Sequence, residues 1–499
     1  MQFRLTSPLM KYATLALVIS ASVDGAAAQT TTDPLTLGEA ISAARENNPS
    51  FLTTQTQIRS AEWGVRAAYG NLVPSLSTST SFGYTAGGQR RLDSVVLGEQ
   101  PAQISSSYNI GMQLSLDGTT LLAPSVARAE ARVAEQNVSG AAASLEAEVA
   151  QRYLNVLEDR AAVGQAEREL ARTEEHVRLA AGRLEVGAGT ALEVRRAEVQ
   201  RGQAQVRLIQ ARNTAANDLL LLSQTMGTPL PEDVPLAEEF ELFEPAWTAD
   251  QLVEIALAEN PTLVARRAQA DAAATRARAA ATSYLPTISF NAGLGGYISQ
   301  AGDIDPLVTQ AMQSAQNSYN SCLEQNRLYG AVDLPLRSCS DPSSTGFEQG
   351  IRSNLERQNS GFPFDYARQP WNAGVTISLP IFTGLTRQQR IEEARIARSN
   401  AQYQVRGQEL QTHVDVESSL RNLQTSYQSA LLQQQIRSTA AEELRLVEER
   451  FRFGATTNVE LVDAQASLAE AERAEIAAVY AFHRSLAVLE ARLGQSLAR

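Results

Sequence analysis

Four short stretches of this chain alternate, residue by residue, between apolar and small polar side chains. Tyr108, Ile110, Met112, Leu114 and Leu116 alternate with Asn109, Gly111, Gln113 and Ser115. Ile288, Phe290, Ala292 and Leu294 alternate with Ser289, Asn291, Gly293 and Gly295. Trp371, Ala373, Val375, Ile377 and Leu379 alternate with Asn372, Gly374, Thr376 and Ser378, and Leu76 to Tyr84 follows a weaker version. A period of two is the mark of a strand with one apolar face. Each run is about 9–11 residues, the length of a tilted strand that crosses a bilayer. Tyr84, Tyr108, Tyr297 and Trp371 gather near one end, as an interfacial girdle does. A soluble sandwich needs a second sheet, which four strands do not supply. Nor can four strands close a barrel. An open edge in lipid leaves backbone groups unsatisfied, at a cost of several kcal/mol each. The barrel must therefore be shared between copies. Three copies give twelve strands, an even number within the usual range; two or four copies satisfy the same argument.

The chain is also a duplication. Asn48-Pro49 recurs as Asn260-Pro261, and Asn71-Leu-Val-Pro74 as Ser283-Tyr-Leu-Pro286, both 212 residues later. Arg183-Leu-Glu-Val-Gly187 recurs as Arg450-Phe-Arg-Phe-Gly454, 267 residues later. The second copy is longer by 55 residues, most of them between Gly296 and Pro370. The first copy, residues 29–240, reads as helix 36–72, strands 75–85 and 106–117, long helix 124–186 and return helix 190–226. The second, residues 241–499, reads as helix 248–284, strands 286–298 and 371–380, long helix 386–453 and return helix 457–493. Residues 299–370 form a long insertion that joins the far ends of two strands and is expected outside the cell. The fold class is mainly α with a small β part.

The long helices carry no proline after Pro124 or between Thr386 and Phe453, and Ala, Glu, Gln and Arg fill them. At about 1.5 Å per residue each runs roughly 90–100 Å, a length for which a globular domain has no use. Val479, Phe482, Leu486, Leu489 and Leu493 recur at coiled-coil spacing. Gly187 and Gly454 suit the residue after a helix end, and Thr190 and Thr457 suit the next N-cap.

The N-terminus is basic at Arg4 and Lys11, apolar from Tyr12 to Ala21, and offers Ala26-Ala27-Ala28 for cleavage. Residues 1–28 read as a secretory signal peptide. No later stretch is long and apolar enough for a membrane-spanning helix. The net charge of −12 argues against nucleic acid as a partner. Lys11 is the only lysine. The mature chain therefore has neither a P-loop lysine nor a Schiff-base lysine, and energy for any active transport must come from another protein. No hydrolase, metalloprotease or phosphate-binding motif is present, no cofactor is expected, and the chain does not read as an enzyme.

The duplicated NP and LVP/YLP pattern, followed by alternating strands, resembles the TolC-type outer-membrane efflux and secretion channels. So does the segment RFRFGATTNVELVDAQASLAEAERA at Arg450–Ala474. The resemblance runs from Leu35 to Gly494. It implies a homotrimer in outer-membrane lipid, with a twelve-stranded barrel and a periplasmic tunnel of helical hairpins. It implies docking to a periplasmic adaptor joined to an inner-membrane pump, either ABC or proton-driven, with Gly187, Gly189, Thr190, Gly454 and Thr457 at the contacting tips. It implies an iris closed by a ring of carboxylates, which fall on Glu460 and Asp463, supported by Glu193 in the first repeat. The chain departs from the pattern at Thr456, where members with a well-defined lock carry a basic residue. The partner of Glu193 then falls to Arg195, Arg196 or Arg452. A periplasmic coiled-coil tether without a pore explains the helices, but not the strands or the duplication.

Glu460 and Asp463 also suit the start of a helix through its dipole. In a trimer they make six carboxylates around one axis. Cys322 and Cys339 lie in the insertion and can pair, closing a loop of roughly 15 residues worth about 3 kcal/mol in the chain-entropy model. Metal binding by two isolated cysteines is the weaker reading. His176, His413 and His483 stand alone on helices, with no metal-ligand spacing.

Overall fold

The computed structural model describes residues 34–93, 95–237 and 241–497. The expected signal peptide lies outside the described residues. In the first half α1 (Leu37–Asn47) and α2 (Pro49–Gly70) lead to β1 (Ser75–Thr85), a hairpin of β2 (Gly88–Leu92) and β3 (Val95–Gln100), and β4 (Gln103–Leu116). Then come α3 (Gly118–Glu185) and α4 (Ala191–Met226). The second half repeats the order with α5 (Ala249–Glu259), α6 (Pro261–Ala281) and β5 (Thr287–Ala301). Next are α7 (Asp305–Ala331), α8 (Phe347–Asn359), β6 (Ala367–Arg368), β7 (Asn372–Ser378), α9 (Thr386–Arg452) and α10 (Asn458–Leu493).

The sheet is antiparallel in the order β1-β4-β5, with β6 and β7 both on the far side of β5. Its register sets Ile110 opposite Leu294, Met112 opposite Ala292, Leu114 opposite Phe290, and Phe290 opposite Val375. Directly opposed residues share a face, so the alternation of each strand adds up to one continuous apolar surface. The other face sets Ser77 opposite Gly111, Gln113 opposite Asn291, and Asn291 opposite Gly374. Among the described residues β1 pairs only with β4 and β7 only with β5, so both outer edges are unpaired. The fourth strand is shorter than the expected 371–380. Pro370 has no N–H to give the ladder, and pairing breaks between β6 and β7. The Gln369 amide still donates to the Gly295 carbonyl at 2.8 Å, which keeps the two pieces in line.

The expected helices 36–72 and 248–284 are each two helices. Proline disfavours helical geometry in the residue before it, and Asn48 sits at φ −66°, ψ 117°. Its side chain accepts from the Phe51 amide at 3.0 Å and so caps α2. Its amide group donates to the Thr225 carbonyl at 2.8 Å, at the end of α4. Asn260 does the same in the second half, accepting from the Leu263 amide at 2.9 Å and donating to the Arg492 carbonyl at 2.7 Å. Gly227 and Gly494 end α4 and α10 in the left-handed region, at φ +73° and +84°. A Cβ on Gly227 would lie 2.4 Å from the Asn47 carbonyl oxygen, and one on Gly494 2.5 Å from that of Glu259. Thus α4 abuts α2 and α10 abuts α6, so each long rod is flanked by two shorter helices set end to end.

The long rods are α3, of 68 residues, and α9, of 67. At 1.5 Å per residue each is about 100 Å long. The first begins at Gly118 rather than at 124, because Asp117 caps it by accepting from the Thr120 amide at 2.6 Å. Pro124 lies inside its second turn. α3 packs on α2, α4, α6 and α10, so the two halves share one bundle. Two apolar clusters sit where the rods meet α1 and α5. One surrounds Tyr153, whose hydroxyl donates to the Leu35 carbonyl at 2.6 Å. The other surrounds Phe482, with Phe243 edge-on at 5.4 Å. A third cluster, Leu444, Phe451, Leu461 and Leu468, fills the far tip.

The insertion, expected only as a long segment between strands, is largely helical. α8 runs back along the first half of α7, and Arg352 pairs with Asp305 at 2.6 Å. Asn359 acts as a side-chain extension of the sheet. It accepts from the Ala301 amide at 2.7 Å and donates to the Ala301 carbonyl at 2.8 Å. Cys322 and Cys339 are bonded, with Cα atoms 5.8 Å apart. This unit stands at the end of the sheet opposite the helical rods.

Candidate functional site

The two hairpin tips are built alike. Gly187 at φ +75° and Gly454 at φ +69° turn the chain. The Ala188 amide donates to the Arg183 carbonyl and the Ala455 amide to the Arg450 carbonyl, both at 2.8 Å. The same two arginines donate from their side chains to the Ala188 and Ala455 carbonyls, at 3.1 and 3.2 Å. Thr190 and Thr457 cap the return helices by accepting from the Glu193 and Glu460 amides.

The carboxylates differ. Glu193 turns back to accept from the Thr190 amide at 3.2 Å, which completes a reciprocal capping box. Glu460 accepts instead from the Thr456 hydroxyl. Glu460 and Asp463 are exposed, while Leu461 and Ala464 between and beside them are buried against α9. Both acids therefore face away from their own hairpin. Arg195 pairs with Glu198 at 2.7 Å, not with Glu193. Among the described residues Arg196, Arg452 and Asp463 form no ion pair within the subunit. Gly187, Gly189, Thr190, Gly454 and Thr457 lie on the two turns themselves.

Sequence reasoning missed the contact that joins the two tips. The Arg183 guanidinium donates to the Phe451 carbonyl at 2.7 Å and stands 4.5 Å from the centre of its ring. His176 meets the same ring edge-on at 6.2 Å. Burial holds the His176 imidazole below its usual pKa, against the opposing pull of the Glu193 charge. The signal in the sequence was the equivalence of Arg183 and Arg450 in the repeat.

A second polar cluster crosses the bundle farther up. Glu472 of α10 accepts from Arg172 of α3 at 3.0 and 2.7 Å and from Gln165 at 3.3 Å. Glu169 of α3 pairs with Arg207 of α4. Burial raises the Glu472 carboxyl, but the Arg172 and Gln165 hydrogen bonds outweigh it and leave the pKa below the usual value. Nearer α1, burial and then Asp218 of α4 push the Asp159 carboxyl up to about 7, with Glu158 adding and Arg484 opposing. Among the described residues no group of three or more His, Cys, Asp or Glu could hold a metal ion. No helix among them is long and apolar enough to cross a membrane.

Residues 40–228 and 348–495 match the model of the family described as outer membrane efflux protein. Among curated proteins none matches the chain. Solved structures similar to it include the Campylobacter jejuni CmeC outer membrane channel, at 14% identity and TM-score 0.67 over 92% of this chain and 85% of that one. The outer membrane protein VceC of Vibrio cholerae aligns at 17% identity and TM-score 0.66 over 92% and 96%. The open state of the Neisseria gonorrhoeae MtrE outer membrane channel aligns at 20% identity and TM-score 0.65 over 92% and 89%.

Proposed function

The chain belongs to the outer membrane efflux protein family, and on that premise we propose that three copies form one passive duct that docks to a periplasmic adaptor and an inner-membrane pump. It is an outer-membrane efflux channel of the TolC type with a helical tunnel in the periplasm. The observation that carries the oligomer is the four-strand sheet with two unpaired edges and one apolar face. Three such sheets joined edge to edge leave no edge in lipid. The helices support the same reading. Leu192, Val199 and Val206 of α4 and Ile396, Tyr403 and Leu410 of α9 recur every seventh residue and are exposed in the single subunit. A seven-residue apolar repeat is a coiled-coil seam that wants a partner helix, and the neighbouring subunit supplies it.

In this reading Glu460 and Asp463 form the narrowest ring at the periplasmic end. Arg196 and Arg452, without an ion-pair partner among the described residues, face the neighbour's tips along with Glu193. The turns at Gly187, Gly189, Thr190, Gly454 and Thr457 meet the adaptor, and the insertion lies outside the cell. A ring of six carboxylates attracts cations and repels itself as it narrows. Replacing both Glu460 and Asp463 by Ala is expected to raise single-channel conductance in planar bilayers and to weaken block by divalent cations. Unchanged conductance and block would remove the ring from these residues.

A further inference from the structure

The family match leaves out residues 229–347, and these contain α7 and the loop after it. From Pro306 to Leu323 this stretch has no charged residue. Its exposed positions are mostly Gln, Ser, Asn and Thr, the uncharged polar chemistry of the inner sheet face at Ser77, Asn109 and Gln113. The far end changes character. Leu328, Val332, Leu334 and Leu336 are all exposed, Leu328 by 68%. They do not hang on a loose loop. The Leu334 amide donates to the Tyr329 carbonyl at 2.9 Å. Asn326 donates to the Arg337 carbonyl and accepts from its amide, both at 2.8 Å, and Cys322 is bonded to Cys339. The tip is a largely apolar knob, interrupted by exposed Asp333 and Arg337, and is held in place by a covalent bond and a two-way hydrogen-bonded bracket.

We propose that this disulfide-pinned knob meets the same knob of the neighbouring copies above the pore and plugs its outer mouth. The proposal rests on the trimeric reading. Three observations select a second copy as the occupant. The hairpin is rooted through Asn359 on the end of β5, whose partner β7 carries the free edge that the next copy must cover. α7 has 27 residues, about 40 Å of helix. Twelve strands about 4.8 Å apart and tilted by about 40° close a barrel of about 12 Å radius, so α7 is long enough to reach the axis even when it rises steeply. The uncharged polar shaft suits a wet path above the lumen. Apolar side chains brought together on the axis exclude water and ions by dewetting.

The test uses the full-length channel in outer-membrane vesicles. Leu334→Cys supplies one free thiol per subunit, because the bonded Cys322 and Cys339 do not react with a short bifunctional maleimide. A control joins Thr78→Cys on β1 to Val375→Cys on β7 across the subunit seam. Linked dimers from Leu334→Cys, with at least a twofold rise in single-channel conductance when Leu328, Val332, Leu334 and Leu336 are all changed to Ser, support the plug. A linked seam with no link at Leu334→Cys overturns it, as does an unchanged conductance in the serine variant. Labelling of Leu334→Cys by a lipid-soluble maleimide but not by a water-soluble one places the knob in the bilayer and also overturns it. Light scattering that finds the detergent-solubilised channel monomeric removes the trimer, and the plug with it.

Discussion

Alanine at Gly227 is expected to weaken the tunnel far more than alanine at Gly187, although both glycines end a helix at nearly the same backbone angle. The left-handed region costs an L-residue about 1–2 kcal/mol. At Gly187, φ +75°, a built Cβ meets nothing within 4 Å, so that is the whole cost. At Gly227, φ +73°, the Cβ would stand 2.4 and 2.6 Å from the carbonyl oxygen and carbon of Asn47 and 3.0 Å from the Asn48 nitrogen. These are backbone atoms, so the junction of α1 and α2 has to move. The movement loosens the hydrogen bond from Asn48 to the Thr225 carbonyl, 2.8 Å long and worth about 1 kcal/mol. It also disturbs the Asn48 cap on α2, worth about another 1 kcal/mol. The expected losses are therefore about 1–2 kcal/mol for Gly187→Ala and about 3–4 kcal/mol for Gly227→Ala. The repeat provides its own replicate, since Gly494→Ala should exceed Gly454→Ala for the same reason. Denaturant titration in detergent, followed by helical circular dichroism, reads all four variants. Equal losses at Gly227 and Gly187 would refute the argument that close contact between the end of α4 and the junction of α1 and α2 holds this joint.

The Asp159 carboxyl titrates at about 7 in the fold, raised by burial and by Asp218. The folded state thus binds the proton more tightly, and this contribution is present at low pH and lost as pH rises through about 7. Asp159→Asn should stabilise the subunit by on the order of 1–2 kcal/mol near pH 8.5, after discounting for partial exposure, and by little near pH 5; denaturant midpoints at the two pH values decide it. Glu472→Leu leaves Arg172 without its bidentate acceptor and should cost about 3 kcal/mol in the same titration. Arg183→Ala removes the bond to the Phe451 carbonyl and should raise open-channel time in bilayers. Arg450→Ala, whose side chain bonds its own turn at the Ala455 carbonyl, serves as the comparison.

The amino-acid sequence alone determined whatever depends on near neighbours in the chain. A period of two marked the strands and their apolar face, heptad spacing marked the rods, and Gly and Thr marked the turns at both tips. The duplication predicted that each half would be built alike, and the unpaired edges followed from counting strands. Tertiary structure decided which surface each face meets. Periodicity says that a side chain is buried; it does not say against what. Arg183 reaches Phe451 across 268 residues, and Asn48 reaches Thr225 across 177. Both contacts exist only because the rods align in one bundle. Within the subunit Glu193 completes the Thr190 cap, a choice set by side-chain geometry at the tip. The insertion was read only as a long segment joining two strands. The first eighteen residues of α7 after Asp305, Pro306 to Leu323, are uncharged, and what organises the insertion is the dock at Ala301, the Asp305–Arg352 pair and the disulfide.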